Sequence, residues 1–299
     1  MIDGALLLDK ALGISSNAAL QQAKRLYRAS KAGHAGTLDP LASGLLVVLF
    51  GEATKFAGPL LDSDKEYLAT LKLGEKTSTG DAEGEVVQAR PVEASLADVE
   101  ATLRRFRGCI EQLPPMHSAL KREGVPLYKL ARRGQTVART PRPVEIFELE
   151  VGGYSPPVLE LRVRCSKGTY VRTLAEDIGE VLGTGAHLAA LRRTASGPFR
   201  LAEAATLEAL AGLGAEERRR RVLPLPRLLE GLPRAELDAS EEARLRNGQG
   251  LEISGLAEGL CALYRVDGAV IGLARGEAGG RLKPVRLTRS LGQAAEKHR

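Results

Sequence analysis

The first residue in this chain placed to do chemistry is Asp39, in the run Gly33-His34-Ala35-Gly36-Thr37-Leu38-Asp39-Pro40-Leu41-Ala42-Ser43-Gly44. The glycines let the backbone turn sharply or admit another segment at close range. Pro40 disfavours helical backbone at Asp39 and pushes it toward an extended conformation. The run ends in Leu45-Leu46-Val47-Val48-Leu49-Phe50, an unbroken apolar stretch that reads as a buried strand. A lone carboxylate on a stiffened loop feeding such a strand suits a reacting group that must not wander. Asp before Pro is also ordinary turn chemistry, so the loop alone leaves both readings open.

A second group lies at Lys167-Gly168-Thr169-Tyr170-Val171-Arg172. Upstream, Leu159, Leu161, Val163 and Cys165 alternate with polar residues, the pattern of a half-buried strand. Downstream, Val171, Leu174, Ile178 and Leu182 trace a helix stripe, so Tyr170 and Arg172 sit where a strand hands over to a helix. The Gly-x-x-x-x-Gly-Lys-Ser/Thr phosphate loop is absent, and nucleotide hydrolysis is set aside. Tyr67 opens a third alternating stretch, Tyr67–Leu73, where a tyrosine ordinarily packs half-buried. The three cysteines and four histidines show no metal-ligand spacing, so neither a metal site, a cofactor nor a disulfide framework is expected.

These groups need elements to hold them. Gly4–Asp9 reads as a first strand with Lys10 at its end. Ser15-Ser16-Asn17 offers a helix cap, and Ala19, Leu20, Ala23, Leu26 and Tyr27 follow at helical spacing. That helix exposes Lys24, Arg25, Arg28 and Lys31, by default a solvated face. Thr77–Gly84 is turn-rich and reads as a loop. Ser95 and Asp98 form a capping pair for a helix with the stripe Leu96, Val99, Leu103 and Phe106, ended by Gly108. Both segments read as fold rather than function. Residues 114–143 look like a surface insertion carrying Lys121, Arg122, Lys129, Arg132, Arg133, Arg139 and Arg142 against Glu123 alone. Such a density of positive charge suits phosphate contacts.

Glu216-Glu217-Arg218-Arg219-Arg220-Arg221 reads as an exposed helix end. Pro224, Pro226 and Pro233 then mark a boundary, giving a main domain at 1–230, a small unit at 231–290 and a tail at 291–299. In the small unit Ser240-Glu241-Glu242 caps a short helix ended by Asn247-Gly248. Asp267-Gly268 joins two strands of a hairpin, and Leu282–Leu287 is a last strand.

Length and composition agree with about two domains. The chain has 299 residues, 43% hydrophobic and 27% charged, with 43 Lys and Arg against 37 Asp and Glu. The net charge of +6 favours a polyanionic partner. Neither a signal peptide nor a membrane-length apolar run is seen, so a cytoplasmic, membrane-free protein is expected.

The run Gly33–Gly44 resembles the signature of the TruB-type tRNA pseudouridine synthases, in which the aspartate is catalytic. Asp9-Lys10 with Gly13-Ile14-Ser15-Ser16-Asn17, Asp64-Lys65-Glu66-Tyr67, Cys165–Leu174 and Gly185–Arg193 are similar to further motifs of that family. The family's proline after the lysine is Ala11 here. The resemblance implies an α+β fold with a mixed, mostly antiparallel central sheet and flanking helices, followed by a β-rich, PUA-like RNA-binding unit. It implies isomerisation of uridine 55 in the T-loop of tRNA without cofactor, with Asp39 catalytic and Arg172 paired to it. Tyr67, Tyr170 and Leu191 would line the base pocket, His34 would fill the space left by an extruded base, and Lys10 would bind substrate. The insertion would close over the tRNA arm, and a monomer is expected. Two other readings fit the same charges: an RNA-binding or RNA-folding protein, and a guide-RNA-dependent relative acting on ribosomal RNA.

Overall fold

A computed structural model describes residues 2–118, 120–131, 133–253 and 255–289. Arg132 and the 291–299 tail lie outside the described residues. The alternating and apolar runs assemble into one eleven-stranded sheet. Its main path runs Ala205–Thr206, Gly4–Lys10, Ala42–Phe50, Ala186–Ser196, Lys65–Leu73, Val158–Cys165, Arg142–Ser155, Gly108–Gln112. Gly4–Lys10 with Ala205–Thr206 and Ala42–Phe50 with Ala186–Ser196 pair in parallel, and the remaining neighbours are antiparallel. The sheet is thus mixed and mostly antiparallel, with helices packed on it.

Period-two patterning decides the faces. Tyr67, Ala69, Leu71 and Leu73 point into a core shared with Leu159, Leu161 and Val163, while Leu68 between them is exposed. Helices Leu96–Arg104 and Val171–Val181 cover this side with Val99, Leu103, Val171, Leu174 and Ile178. Each such aliphatic side chain contributes about 1.5–3 kcal/mol on burial. On the neighbouring strands helix Ser16–Leu26 packs Ala19, Leu20 and Ala23 on Leu46, Val48 and Phe50. Ser15 caps that helix by accepting the Ala18 amide, and the Ser95–Asp98 capping box is reciprocal.

Two local expectations are corrected. Gly33 and His34 are not loop but lie in strand Ala32–Ala35, paired antiparallel with Val47–Phe50. A glycine-bearing segment with weak strand preference is recruited by a partner edge, which sequence propensity does not register. In the C-terminal part the helix is Ala239–Arg246, capped by Asp238 with Glu241 rather than from Ser240.

The C-terminal residues form a separate five-stranded sheet over Arg234–Leu287. It keeps a core of its own around Leu237, Leu245, Cys261, Leu263 and Ile271. Ala262, Tyr264 and Leu273 instead join the cluster of Leu45, Val47, Leu49 and Phe56, so the small sheet packs against the opposite side of Ala42–Phe50. Lys55 donates to Leu287 O at 2.9 Å, and the Arg289 amide donates to Glu52 at 2.7 Å. Both acceptor and donor on the large body stand on the 3-10 turn Gly51–Phe56 that directly follows the strand.

Candidate active site

The loop carrying Asp39 is tied at nearly every residue. Ser16 Oγ accepts the Leu38 amide at 2.7 Å and donates to Leu38 O at 2.8 Å. Gly13 N–H donates to Pro40 O at 2.9 Å. Arg193, 1% exposed, donates through Nη2 to Gly36 O at 3.1 Å and through Nε to Leu45 O at 2.7 Å. Gly36 is at φ +93°, which favours glycine, and a Cβ there would lie 3.3 Å from that guanidinium and press on it.

At the loop's tip Asp39 Oδ2 stands 3.1 Å from Arg172 Nη2. Arg172 comes from the first turn of helix Val171–Val181 and its side chain is 7% exposed. Its other nitrogen, Nη1, faces Asp81 Oδ2 at 3.4 Å, and the guanidinium also donates to Thr79 O and His117 O. One fixed fork therefore sits between two carboxylates. Asp81 is held in turn by the Thr79 hydroxyl and the Glu83 amide. Burial pushes the Asp39 carboxyl above its ordinary value of 3.8; Arg172 opposes the shift, Asp81 adds to it, and Lys10 and His117 oppose it.

The acid opens on a cleft of about 340 Å³, within the range of ligand sites. Tyr67, Tyr170, Leu191, Lys65 and Arg193 line it with Asp39 and Arg172. Burial raises the Tyr67 phenol above 10, with Arg193 opposing as ion and hydrogen-bond partner. Burial likewise raises Tyr170. Lys65 donates to Leu60 O, Leu61 O and Ser63 O, closing the end of helix Ala57–Asp62, and burial brings its ammonium down to about 8.

Of the residues singled out from sequence, Asp39, Tyr67, Tyr170, Arg172 and Leu191 converge on this cleft. Lys10 does not line it. Its ammonium is fully buried and donates to Ala11 O at 2.9 Å and Ile14 O at 2.6 Å, bracing the turn in which Ala11 replaces proline. His34 lies upstream on strand Ala32–Ala35, outside the cleft lining, with Nδ1 buried and without a hydrogen-bond partner among the described residues. Burial lowers its imidazole below 6.5.

The insertion joins the cleft at its root, where His117 and Ser118 line the wall. Beyond it run the hairpin Lys121–Arg122 with Val125–Pro126 and helix Leu127–Ala131. Arg122 donates to Ala138 O and Arg139 to Pro114 O, so these two hold the insertion itself. Lys129, Arg133 and Arg142 are exposed.

Sequence reasoning missed Asp81, His117, Lys65 and Arg193. The loop Thr77–Gly84, expected to carry fold alone, supplies both an ion pair and an acceptor to the central guanidinium. Its signal was a pair of acids between glycines, Gly80-Asp81-Ala82-Glu83-Gly84, which sequence alone reads as a solvated turn. Among the described residues no group of three or more His, Cys, Asp or Glu side chains is placed to hold a metal ion.

The whole molecule can be set beside solved structures. It superposes on a chain of a Cbf5-Nop10-Gar1 complex with a TM-score of 0.74 and 26% identity, covering 96% of this chain and 84% of the other. It superposes on a chain of an H/ACA RNP bound to a substrate RNA containing 2'-deoxyuridine with a TM-score of 0.73 and 25% identity, covering 96% and 85%. Residues 24–171 match the family model described as TruB family pseudouridylate synthase, N-terminal domain, which sets the class as a pseudouridylate synthase, an isomerase. Residues 172–230 match the tRNA pseudouridylate synthase B C-terminal domain, and 233–288 match pseudouridine synthase II TruB, C-terminal. A tRNA pseudouridine synthase B of Burkholderia mallei is 54% identical over 293 residues, covering 96% of this chain and 97% of the relative. One of Chromohalobacter salexigens is 52% identical over 299 residues, covering 99% and 97%. The chain belongs to the TruB family, of the bacterial type.

Proposed function

We propose that this enzyme converts a uridine of tRNA to pseudouridine, and that the uridine is position 55 of the T-loop. The observation that carries the reading is the carboxylate of Asp39 held 3.1 Å from a buried guanidinium at the mouth of an apolar and aromatic cleft. Isomerisation breaks the bond from N1 of uracil to C1′ of ribose and makes one from C5 to C1′, with the C5 proton lost to solvent and one taken up at N1. Departure of the base leaves C1′ electron-poor. Asp39 offsets that charge, by bonding to the carbon or by assisting proton removal from the sugar. Arg172 keeps the carboxylate aimed, and Asp81 holds Arg172 from behind. Tyr67, Tyr170 and Leu191 sandwich the base and keep water out while it is detached.

A uridine stacked in a folded arm must first be extruded, at a cost of a few kcal/mol. His34 fills the vacated space as a neutral ring, and Lys10 supports substrate indirectly through the turn 11–14. Lys121, Arg122, Lys129, Arg132, Arg133, Arg139 and Arg142 of the insertion contact the RNA backbone. The chain divides near residue 230 into a catalytic domain and a PUA-like RNA-binding unit. It acts as a cytoplasmic monomer, with neither metal nor cofactor in the reaction.

The structural likeness to H/ACA chains favours a second reading, in which the substrate is presented by a guide RNA. The 52–54% identity to proteins named tRNA pseudouridine synthase B weighs against it. Tritium release from a bare T-arm stem-loop labelled at C5 of uracil, with no other RNA or protein, tests the choice. Release at a rate matching full-length tRNA supports the proposal, and no release from either RNA would overturn it.

A further inference from the structure

A second basic surface lies apart from the cleft and from the insertion. The end of helix Ser16–Leu26 carries Lys24, Arg25 and Arg28, and nearly two hundred residues later helix Ala215–Arg220 brings Arg219, Arg220 and Arg221 beside it. The two are locked together. Tyr27 hydroxyl donates to Arg218 O at 3.1 Å, and Arg218 Nη1 returns to Leu26 O at 2.9 Å. The rest of that guanidinium donates to Leu210 O and Leu213 O, so each of its three nitrogens holds a backbone carbonyl and Arg218 is the clasp. Between the two helices lies a cavity of about 490 Å³ with an apolar floor of Ile2, Leu26 and Ala215 and with Arg28 and Arg219 in its wall.

The arginines around it are exposed, and among the described residues Arg25, Arg28, Arg219, Arg220 and Arg221 have no carboxylate partner. The nearest acids in sequence, Glu216 and Glu217, stand in the first turn of their helix, where Glu217 accepts the Gly214 amide. Arg28 also occupies an unfavourable place. It follows the helix at φ +49°, in a Schellman closure with Ala29 N–H on Lys24 O and Arg28 N–H on Arg25 O. That position ordinarily takes glycine. An arginine held there, facing a cavity and without a carboxylate partner in the described fold, gives up backbone ease for no internal ion pair.

We propose that this surface is a second phosphate-binding site for the substrate RNA, seating a ribose-phosphate unit of the strand that lies one helix length from the reacting uridine. The distance follows from the helix itself. Its first residue, Ser16, is bonded to Leu38 beside Asp39, and eleven residues at 1.5 Å each put Tyr27 and Arg28 about 16 Å further on. The helix also lies on the cleft's side of the sheet, since Leu46, Val48 and Phe50 beneath it alternate in phase with Ala42 in the cleft-side core. The apolar floor takes the sugar face and the arginines take the phosphates. This site rests on the reading that the substrate is a folded RNA.

The test measures binding of unmodified full-length tRNA against salt concentration for three proteins: wild type, Arg219→Gln with Arg221→Gln, and the charge-matched Arg104→Gln with Arg105→Gln on helix Leu96–Arg104. Arg28→Gly is added alone, because it removes the charge while relaxing the backbone and so cannot fail by unfolding. Each phosphate that is no longer neutralised lowers the slope of log affinity against log salt by about 0.7–0.9. The expected result is a slope lower by between one and two for the Arg219/Arg221 pair and by about one for Arg28→Gly, with roughly tenfold and threefold weaker binding near 0.1 M salt and no change for the Arg104/Arg105 pair. Equal slopes in all proteins overturn the proposal, as does an equal fall in the Arg104/Arg105 control, which would reduce the effect to net charge. So does loss of binding to phosphatidylserine vesicles with RNA binding intact, which would make the surface a membrane contact. Failure of the uridine reading shows instead as wild-type protein that binds tRNA but releases no tritium.

Discussion

The cleft and the insertion are both dense in charge, yet they are built on opposite terms. In the cleft every ion is answered: Arg172 lies between Asp39 and Asp81, and Arg193 is committed to two backbone carbonyls and a phenol. In the insertion Arg122 and Arg139 hold the loop together, while Lys129, Arg133 and Arg142 face solvent. On the proposed reading, charge placed to act on a bond is over-determined by its partners, because a carboxylate that can move loses the geometry on which rate depends. On the same reading, charge placed to hold a polyanion stays hydrated until the polyanion arrives, and its contribution is screened by salt. The two regions should therefore fail differently when cut.

The largest effect is expected at the acid. Asp39→Asn should lower single-turnover tritium release by at least roughly a thousandfold, as loss of a covalent or general-base group does. Affinity for tRNA should stay within about twofold of wild type. Because the site opposes ionisation of Asp39, its neutral replacement should also leave the thermal midpoint no lower. A variant that turns over normally would end the distinction between the two regions.

Next in size is the fork. Arg172→Lys keeps the charge but loses one arm, and should cost roughly a hundredfold in rate with binding little changed. Asp81→Asn should cost less, about tenfold, since Asp39 still pairs with the guanidinium. It carries a sharper signature in pH. The folded-state carboxyl of Asp39 is raised above 3.8, so the acid limb of kcat/KM lies above that value and activity falls as pH drops through it. Asp81 contributes to the raising, so Asp81→Asn should move the limb to lower pH. A limb that stays put would show that Asp81 acts on Arg172 alone.

The insertion should answer only to binding. Lys129→Ala with Arg133→Ala is expected to weaken tRNA affinity about tenfold near 0.1 M salt and to lower the salt slope by close to two, with the rate at saturating RNA unchanged. A fall in that rate would place these residues with the cleft.

The smallest effect concerns Lys65. Its folded value of about 8 lies below the ordinary 10.5, so between those limits the unfolded chain binds more protons and stability rises with pH. Lys65→Met should remove that rise, read as a flatter dependence of urea midpoint on pH from about 8 to 10.5.

Much of this plan was legible in the chain. The strands over Gly4–Lys10, Lys65–Leu73 and Val158–Cys165 and the helix after Tyr170 follow from period, and the helices after Ser15 and Ser95 from period and caps, all of which are local. Asp39, Tyr67, Tyr170, Arg172 and Leu191 were marked by motif and meet in one cleft. What was not legible depends on meetings between distant segments. Asp81 looks like any acid in a turn until helix Val171–Val181 lays Arg172 against it. Arg193 lies in a strand that reads as mixed polar and apolar, and only the parallel pairing of Ala186–Ser196 with Ala42–Phe50 brings it under Gly36. The strand at Ala32–Ala35 exists because an edge was available to it.

The small C-terminal sheet is fastened to the 3-10 turn Gly51–Phe56, at the far end of the strand whose near end receives the Asp39 loop. Nine residues of strand therefore act as a rigid bar with a jaw at each end. A calliper of constant span selects by length: on the proposed reading, the uridine that reaches the acid is picked by how far it lies along the RNA from whatever the other jaw has gripped, and its immediate neighbours need not be read at all.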